Sequence, residues 1–314
     1  MAPYRARTRR ARYQDRGRAG RNAPAEVPRH GNGGHMLAIV TDSTCALTRH
    51  EAELLGVEVI PMTYIVDGRR LREQPLGENG EYAEMLQKAS SASTEAVRTL
   101  AFAKAFQRQL KAGNDVLCLT ISSRLSGTYR SAVEAAKICN GPRGEGDVRV
   151  EVVDSWCTAG ALEFLVRRAC RLAREGQPLS AVVADLLASR AAQDVVFSVP
   201  DMAILRSSGR LGAVRRSLGT VLNRYPVMHL SEGAVEPLCR ARGTRGVARA
   251  MVDAVPEGAT QFIISHFGMR GLEIQHLMLA LRDRFPHATV HVKDGGPVLA
   301  VNIGVGSMGL AWSF

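Results

Sequence analysis

Alternation of apolar runs with helical patterns is the strongest constraint on this chain. "MLAIVTDST" (36–44), "VEVIPMTYIV" (57–66), "DVLCLTI" (115–121) and "RVEVVDS" (149–155) read as strands. "RHEAELLG", "NGEYAEMLQKA" (79–89), "LAFAKAFQRQLKAG" (100–113) and "CTAGALEFLVRRACRLAREG" (157–176) read as helices, with Gly56 closing the first. Parallel strands need long crossovers, and helices supply them, so this order predicts a parallel α/β sheet. "DGRR" reads as a turn and "SSAST" (90–94) as a polar loop.

The second half has another character. "LSAVVADLLASRAA" (179–192) reads as a helix, "DVVFSV" (194–199) as a strand, and residues 202–223 as helical pieces around a Gly/Ser-rich turn. "YPVMHLSEGAVEPLCRAR" (225–242) predicts a hairpin turning at "SEG". Helices in "GTRGVARAMVDAV" and 272–285 alternate with strands at 260–267 and 289–294, and the tail reads as Gly-spaced extended segments. The expected class is α/β in two domains: residues 36–160 with a parallel sheet, and residues 161–314 a mixed α+β domain with antiparallel strands.

Charge divides the chain differently. Nine arginines, no lysine, one Asp and one Glu give residues 1–35 a charge of +7, so of the chain's +11 residues 36–314 retain +4. The segment is expected to be a disordered arm. It reads as a nucleic-acid-binding arm, an organelle transit peptide, or over-called sequence upstream of a true start at Met36. With aromatics at 5% and a near-neutral body, no nucleic-acid binding is expected of residues 36–314. No run of about 18 apolar residues suggests a membrane span. The six cysteines form no CxxC pair or Cys/His metal spacing, which favours reduced thiols and a cytoplasmic protein.

"ISSRLSGTYRSA" (121–132) places Ser122, Ser123, Ser126 and Thr128 at one strand-to-helix joint. One hydroxyl suffices to cap a helix. Four at an N-terminus, where unpaired N–H groups favour negative charge, suit an anion socket. "TDST" repeats the placement, with Asp42 or Ser43 as a cap or at a ligand crevice. "RSSGRLG" (206–212) and "RARGTR" (240–245) are basic turns. His266 ends an apolar strand, as a ligand-site residue or a hydrogen-bonded structural one. "GVGSMG" (304–309) is Gly-rich but lacks the Gly-Lys-Ser/Thr ending of a P-loop, and no GxSxG elbow or metal-ligand cluster occurs, so nothing compels catalysis.

The order of these segments resembles the DegV family. "IVTDST", "VIPMTYIVDG", "ISSRLSGTYRSA", "VVDS", "LRSSGRLG", "PLCRARG", the "SH" of a late strand and "GPVLAVNIGVGSMGLAW" follow one another across residues 37–313. The resemblance implies a two-domain α/β protein holding one long-chain fatty acid between its domains, tail in an apolar tunnel and carboxylate on hydroxyls. It also implies an ATP-dependent kinase partner that makes acyl phosphate for phospholipid synthesis, with transient contact at a membrane surface. The chain itself would be no enzyme and need no cofactor.

The family's carboxylate-binding Thr falls on Thr94, with Ser93 beside it. Its Ser falls on Ser123 first and Ser126 second. Arg210 and Arg242 are candidates for domain closure or partner docking. Two positions depart from the pattern. Glu95 follows Thr94, and it would repel a bound carboxylate unless it points away or is protonated. Asn302 stands where the family often has His, and it can donate a hydrogen bond but carries no charge. Two rival readings remain: an enzyme or binder for another small acidic, phosphorylated ligand, with "SSRLSGT" as a phosphate cradle, and a nucleic-acid binder acting through the arm.

Overall fold

A computed structural model describes residues 36–141, 148–211, 224–268 and 271–314. The predicted arm at 1–35 and residues 212–223 of the predicted 202–223 segment lie outside the described residues.

The first lobe is the predicted parallel sheet. Strands β1 (Leu37–Asp42) and β2 (Val57–Ile60) are joined by helix α1 (Arg49–Leu55). Thr48 and Glu51 form a capping box at the start of α1, and Gly56 ends it at φ 70°. Pro61 has no N–H for a ladder, and the predicted strand 57–66 breaks there. Its second part becomes β3 (Thr63–Val66), which turns through Asp67 and Gly68, both at positive φ, into β4 (Arg69–Arg72). After α2 (Tyr82–Lys88), the predicted loop at 90–94 is instead a strand, β5 (Ala92–Glu95). These three form a separate antiparallel sheet in the order β4-β3-β5.

Helix α3 (Thr99–Lys111), β6 (Asp115–Thr120), α4 (Thr128–Asn140) and β7 (Val150–Asp154) complete the parallel sheet, ordered β2-β1-β6-β7. Phe102 and Phe106 of α3 and Ala132 and Ala135 of α4 bury one face against Val40, Val116 and Cys118. The other face packs on α5 (Ala159–Arg174) and α6 (Leu179–Ser189).

The second lobe carries β8 (Val195–Ser198), α7 (Met202–Ser207), β9 (Arg224–Ser231), β10 (Ala234–Arg242), α8 (Gly243–Asp253), β11 (Gln261–His266), α9 (Gly271–Arg284), β12 (Thr289–Asp294), α10 (Pro297–Ile303) and β13 (Met308–Ser313). Its six-stranded sheet runs β10-β9-β8-β13-β11-β12, antiparallel except for β11 with β12. The predicted β9–β10 hairpin turns at Glu232 and Gly233, both at positive φ. Helices α8 and α9 bury Val247, Met251, Leu277 and Leu281 against one face of this sheet.

Helix α5 occupies the space between the two sheets, which is why it is buried almost all round. Gly160 lets it approach: a Cβ there would lie 2.7 Å from Cβ of Ile263. The expected boundary at 160/161 falls inside this shared helix. The tail departs from the extended reading. Pro297, at the first turn, opens the short helix α10, which packs on α2, β3 and β5 of the first lobe before the chain returns as β13. No helix among the described residues is long and apolar enough to cross a membrane.

Candidate functional site

A cavity of about 80 Å³ lies where the lobes meet. Its walls are mostly apolar. Met62, Ile121 and Leu125 come from the first lobe; Val298, Leu299 and Ile303 from α10; Val195, Phe197, Leu230 and Val235 from the six-stranded sheet.

One end is polar, and four elements build it. Thr94 of β5, Ser126 before α4, Arg210 after α7 and Asn302 of α10 all line the cavity. The Arg210 guanidinium and the Asn302 amide each donate to Thr94 Oγ1 at 3.4 Å. Arg210 also donates to the carbonyls of Leu125 and Ser208, and Asn302 to that of Val298. Burial pushes the Arg210 pKa below its usual value, yet guanidinium starts so high that it stays charged. Among the described residues no carboxylate lies within ion-pair distance of it. This end therefore offers a partly desolvated cation, two hydroxyls and an amide. It suits an amphipathic anion whose apolar part lies along the walls.

The four hydroxyls of the 121–132 joint have separate tasks. Ser126 lines the cavity and accepts from the Thr128 N–H at 3.2 Å. Thr128 is buried and accepts from the Val97 N–H, which fixes the chain just after β5. Ser122 is buried and donates to the Gly233 carbonyl at 2.8 Å, tying the joint to the hairpin of the other lobe. A Cβ on Gly233 would collide with that hydroxyl. Ser123, the first expectation for the carboxylate, is exposed and does not line the cavity; its N–H is held by Asp154 at 3.0 Å.

"TDST" acts one step back from the cavity. Asp42 accepts from the N–H of Thr44 and, at 2.8 Å, from that of Ile121. Ser43 Oγ accepts from the Met62 N–H at 3.0 Å. Ile121 and Met62 line the cavity, while Thr44, Asp42 and Ser43 do not. Ser43 also donates to Glu73, which sequence reasoning missed, since "REQP" reads as an ordinary polar stretch. Glu73 is 3% exposed, accepts from the Val298 N–H at 3.0 Å, and so holds the first turn of α10. Burial pushes its carboxyl up to about 8, against the donors Ser43 and Val298.

Glu95 resolves its own departure. Strand alternation turns it away from Thr94, and Arg70 pairs with it. Ser93 is exposed on the same strand. Asn302 occupies the polar end, on a helix rather than the predicted extended segment. His266 does not reach the cavity: its neighbours Ser265 and Phe267 line it, and the imidazole lies off the lining with Nδ1 buried and unpaired among the described residues. Arg242 is exposed ahead of α8 and also lies off the cavity lining. All six cysteines are free, and burial pushes the thiols of Cys45, Cys118, Cys157 and Cys170 up, away from thiolate. No metal-binding group of three or more His, Cys, Asp or Glu occurs among the described residues.

Three comparisons bear on this architecture. The family described as "Uncharacterised protein, DegV family" matches residues 36–314. A DegV domain-containing protein of Streptomyces coelicolor is 32% identical over 282 residues, covering 88% of this chain and 98% of its own. A solved DegV family protein from Thermus thermophilus, described for its fatty acid binding, is 31% identical with a TM-score of 0.78, covering 89% of this chain and all of its own. A DegV lipid-binding protein from Thermotoga maritima shares the fold at the same TM-score and 24% identity, covering 88% of this chain and 98% of its own. With a family match spanning every described residue and the same two-lobe architecture, the chain belongs to the DegV family.

Proposed function

We propose that this protein binds one long-chain fatty acid in the cavity between its lobes. The observation that carries the reading is Arg210, a partly buried guanidinium without a carboxylate partner among the described residues, beside Thr94 at the end of an apolar cavity. The carboxylate takes an ion-paired bond from Arg210 and charge-assisted bonds from the neutral donors Thr94, Ser126 and Asn302. The tail adds about 0.8 kcal/mol per methylene moved out of water. Part of that gain is offset by ordering the chain on binding. The fatty acid binding of the Thermus relative supports the same ligand class.

The finer reading follows from the chemistry of a bound carboxylate. A carboxylate held at the cavity's polar end is presented as a nucleophile to a kinase partner, which transfers a phosphoryl group from ATP to give acyl phosphate. This chain binds and presents; the partner catalyses, in the cytoplasm. Exposed Arg242 suits an acidic partner face or an anionic membrane surface. The test is organic extraction of the purified full chain followed by mass spectrometry and palmitate titration. Stoichiometric fatty acid and saturable binding are expected. No extracted lipid and no titration would overturn the reading. For the finer step, loaded protein with ATP alone should yield no acyl phosphate, and turnover should require a second protein.

A further inference from the structure

Two glycines lie near the same face of the six-stranded sheet, and only one has a packing reason to be glycine. Gly160 of α5 is pressed against Ile263 and Ala311. Gly309 sits within β13, paired with Phe197 on one side and Ser265 on the other. Its backbone is not in the left-handed region. A Cβ built there would meet Val195, Phe197 and Ser265 at 3.5, 3.8 and 3.9 Å, ordinary contact distances. Neither sterics nor φ therefore requires glycine. A glycine inside a strand weakens it and often marks a place where something approaches the backbone closely. Gly309 lines the cavity, and so do Val195, Phe197 and Ser265 around it. The four polar-end residues come from β5, α10 and two loops; none lies on this sheet.

We infer that Gly309 sets the depth of the cavity and with it the longest acyl chain the protein accepts. The missing side chain leaves a notch between Phe197 and Ser265, on a wall that carries none of the polar-end residues. The distal methylenes of a long chain occupy that notch. A β-branched side chain at 309 fills it, and a shorter chain does not reach it. This rests on the fatty-acid reading above and names the residue that selects among fatty acids.

The experiment titrates lauric, myristic, palmitic and stearic acids into the wild-type full chain, Gly309→Ala and Gly309→Val. Each methylene excluded from the cavity costs about fourfold in affinity. Gly309→Val is expected to lose stearate binding by on the order of tenfold or more while keeping laurate within about threefold. Gly309→Ala should fall between. Valine favours strands, so folding is expected to survive, and a thermal melt of each variant checks it. Should the valine variant fail to fold, the alanine variant carries the same test with a smaller graded loss. An unchanged rank order, or an equal loss for all four acids, would overturn the role of Gly309. A wild type that binds none of the four would instead overturn the fatty-acid reading itself.

Discussion

Two cations sit at places where the lobes meet, and they are treated in opposite ways. Lys293 of β12 is saturated. Its ammonium lies 2.7–2.9 Å from both carboxylate oxygens of Glu51 on α1 and of Glu163 on α5, and it reaches the Ala46 carbonyl. Arg167 adds a second cation to the same two carboxylates. Burial works to raise the Glu51 carboxyl, but Lys293 and the Thr48 donors hold it down at about 2. Glu163 is buried more deeply, and there burial wins and pushes it up. Among the described residues, the Arg210 guanidinium has only a hydroxyl and two carbonyls as partners. The Lys293 cluster has its charge compensated and serves closure; Arg210 retains capacity for an anion from outside the chain.

Removing the Lys293 ammonium should have the largest effect. Lys293→Ala leaves Arg167 as the remaining cation on Glu51 and Glu163 and is expected to cost about 3 kcal/mol, read by urea unfolding. Equal stability of the variant would reduce the cluster to surface charge.

Glu73 offers a bridge with no cation among the described residues, joining the end of β4 to α10. Its folded pKa of about 8 lies above the ordinary 4.5, so the folded state holds a proton that the unfolded chain releases. The stability is full below about pH 4.5 and declines as pH rises toward 8. A loss of about 2–3 kcal/mol from about pH 5 to about pH 7 is expected in the wild type. Glu73→Gln keeps an acceptor for Val298 and should flatten that decline. Glu51 acts in the other direction, its contribution being lost as pH falls from about 4.5 toward 2. An undiminished slope in Glu73→Gln would remove this carboxyl from the account.

Thr94→Ala should weaken palmitate binding by about threefold to tenfold, the size of one hydrogen bond. Ser123→Ala should leave both binding and stability unchanged, within about 0.5 kcal/mol. A Ser123 effect as large as that of Thr94 would return the carboxylate to the outer rim of the joint.

The parallel sheet and the β9–β10 hairpin were legible because long apolar runs and a two-residue turn leave direct patterns. β5 was not, because "ASTE" is a short edge strand of a small sheet, with no apolar alternation to announce it. α10 was hidden among glycines, although Pro297 just inside its start and Gly304 just past its end are the usual signs of a helix. The polar end was legible in part. Thr94, Ser126 and Asn302 were found, but which hydroxyl of the joint turns inward depends on the hairpin that captures Ser122 more than a hundred residues later. Arg210 read locally as a basic turn and, through the resemblance, as a candidate for domain closure or partner docking, since nothing local says that a turn will fold over a distant cavity.

Palmitate affinity of Arg210→Ala against the wild type tests the central claim most directly, with a thermal melt beside it. Loss of a charge-assisted bond predicts on the order of tenfold to a hundredfold weaker binding, with the melting temperature of the lipid-free protein almost unchanged. Unchanged affinity, or a loss explained by unfolding, would contradict the assignment of Arg210 as the receptor for the carboxylate.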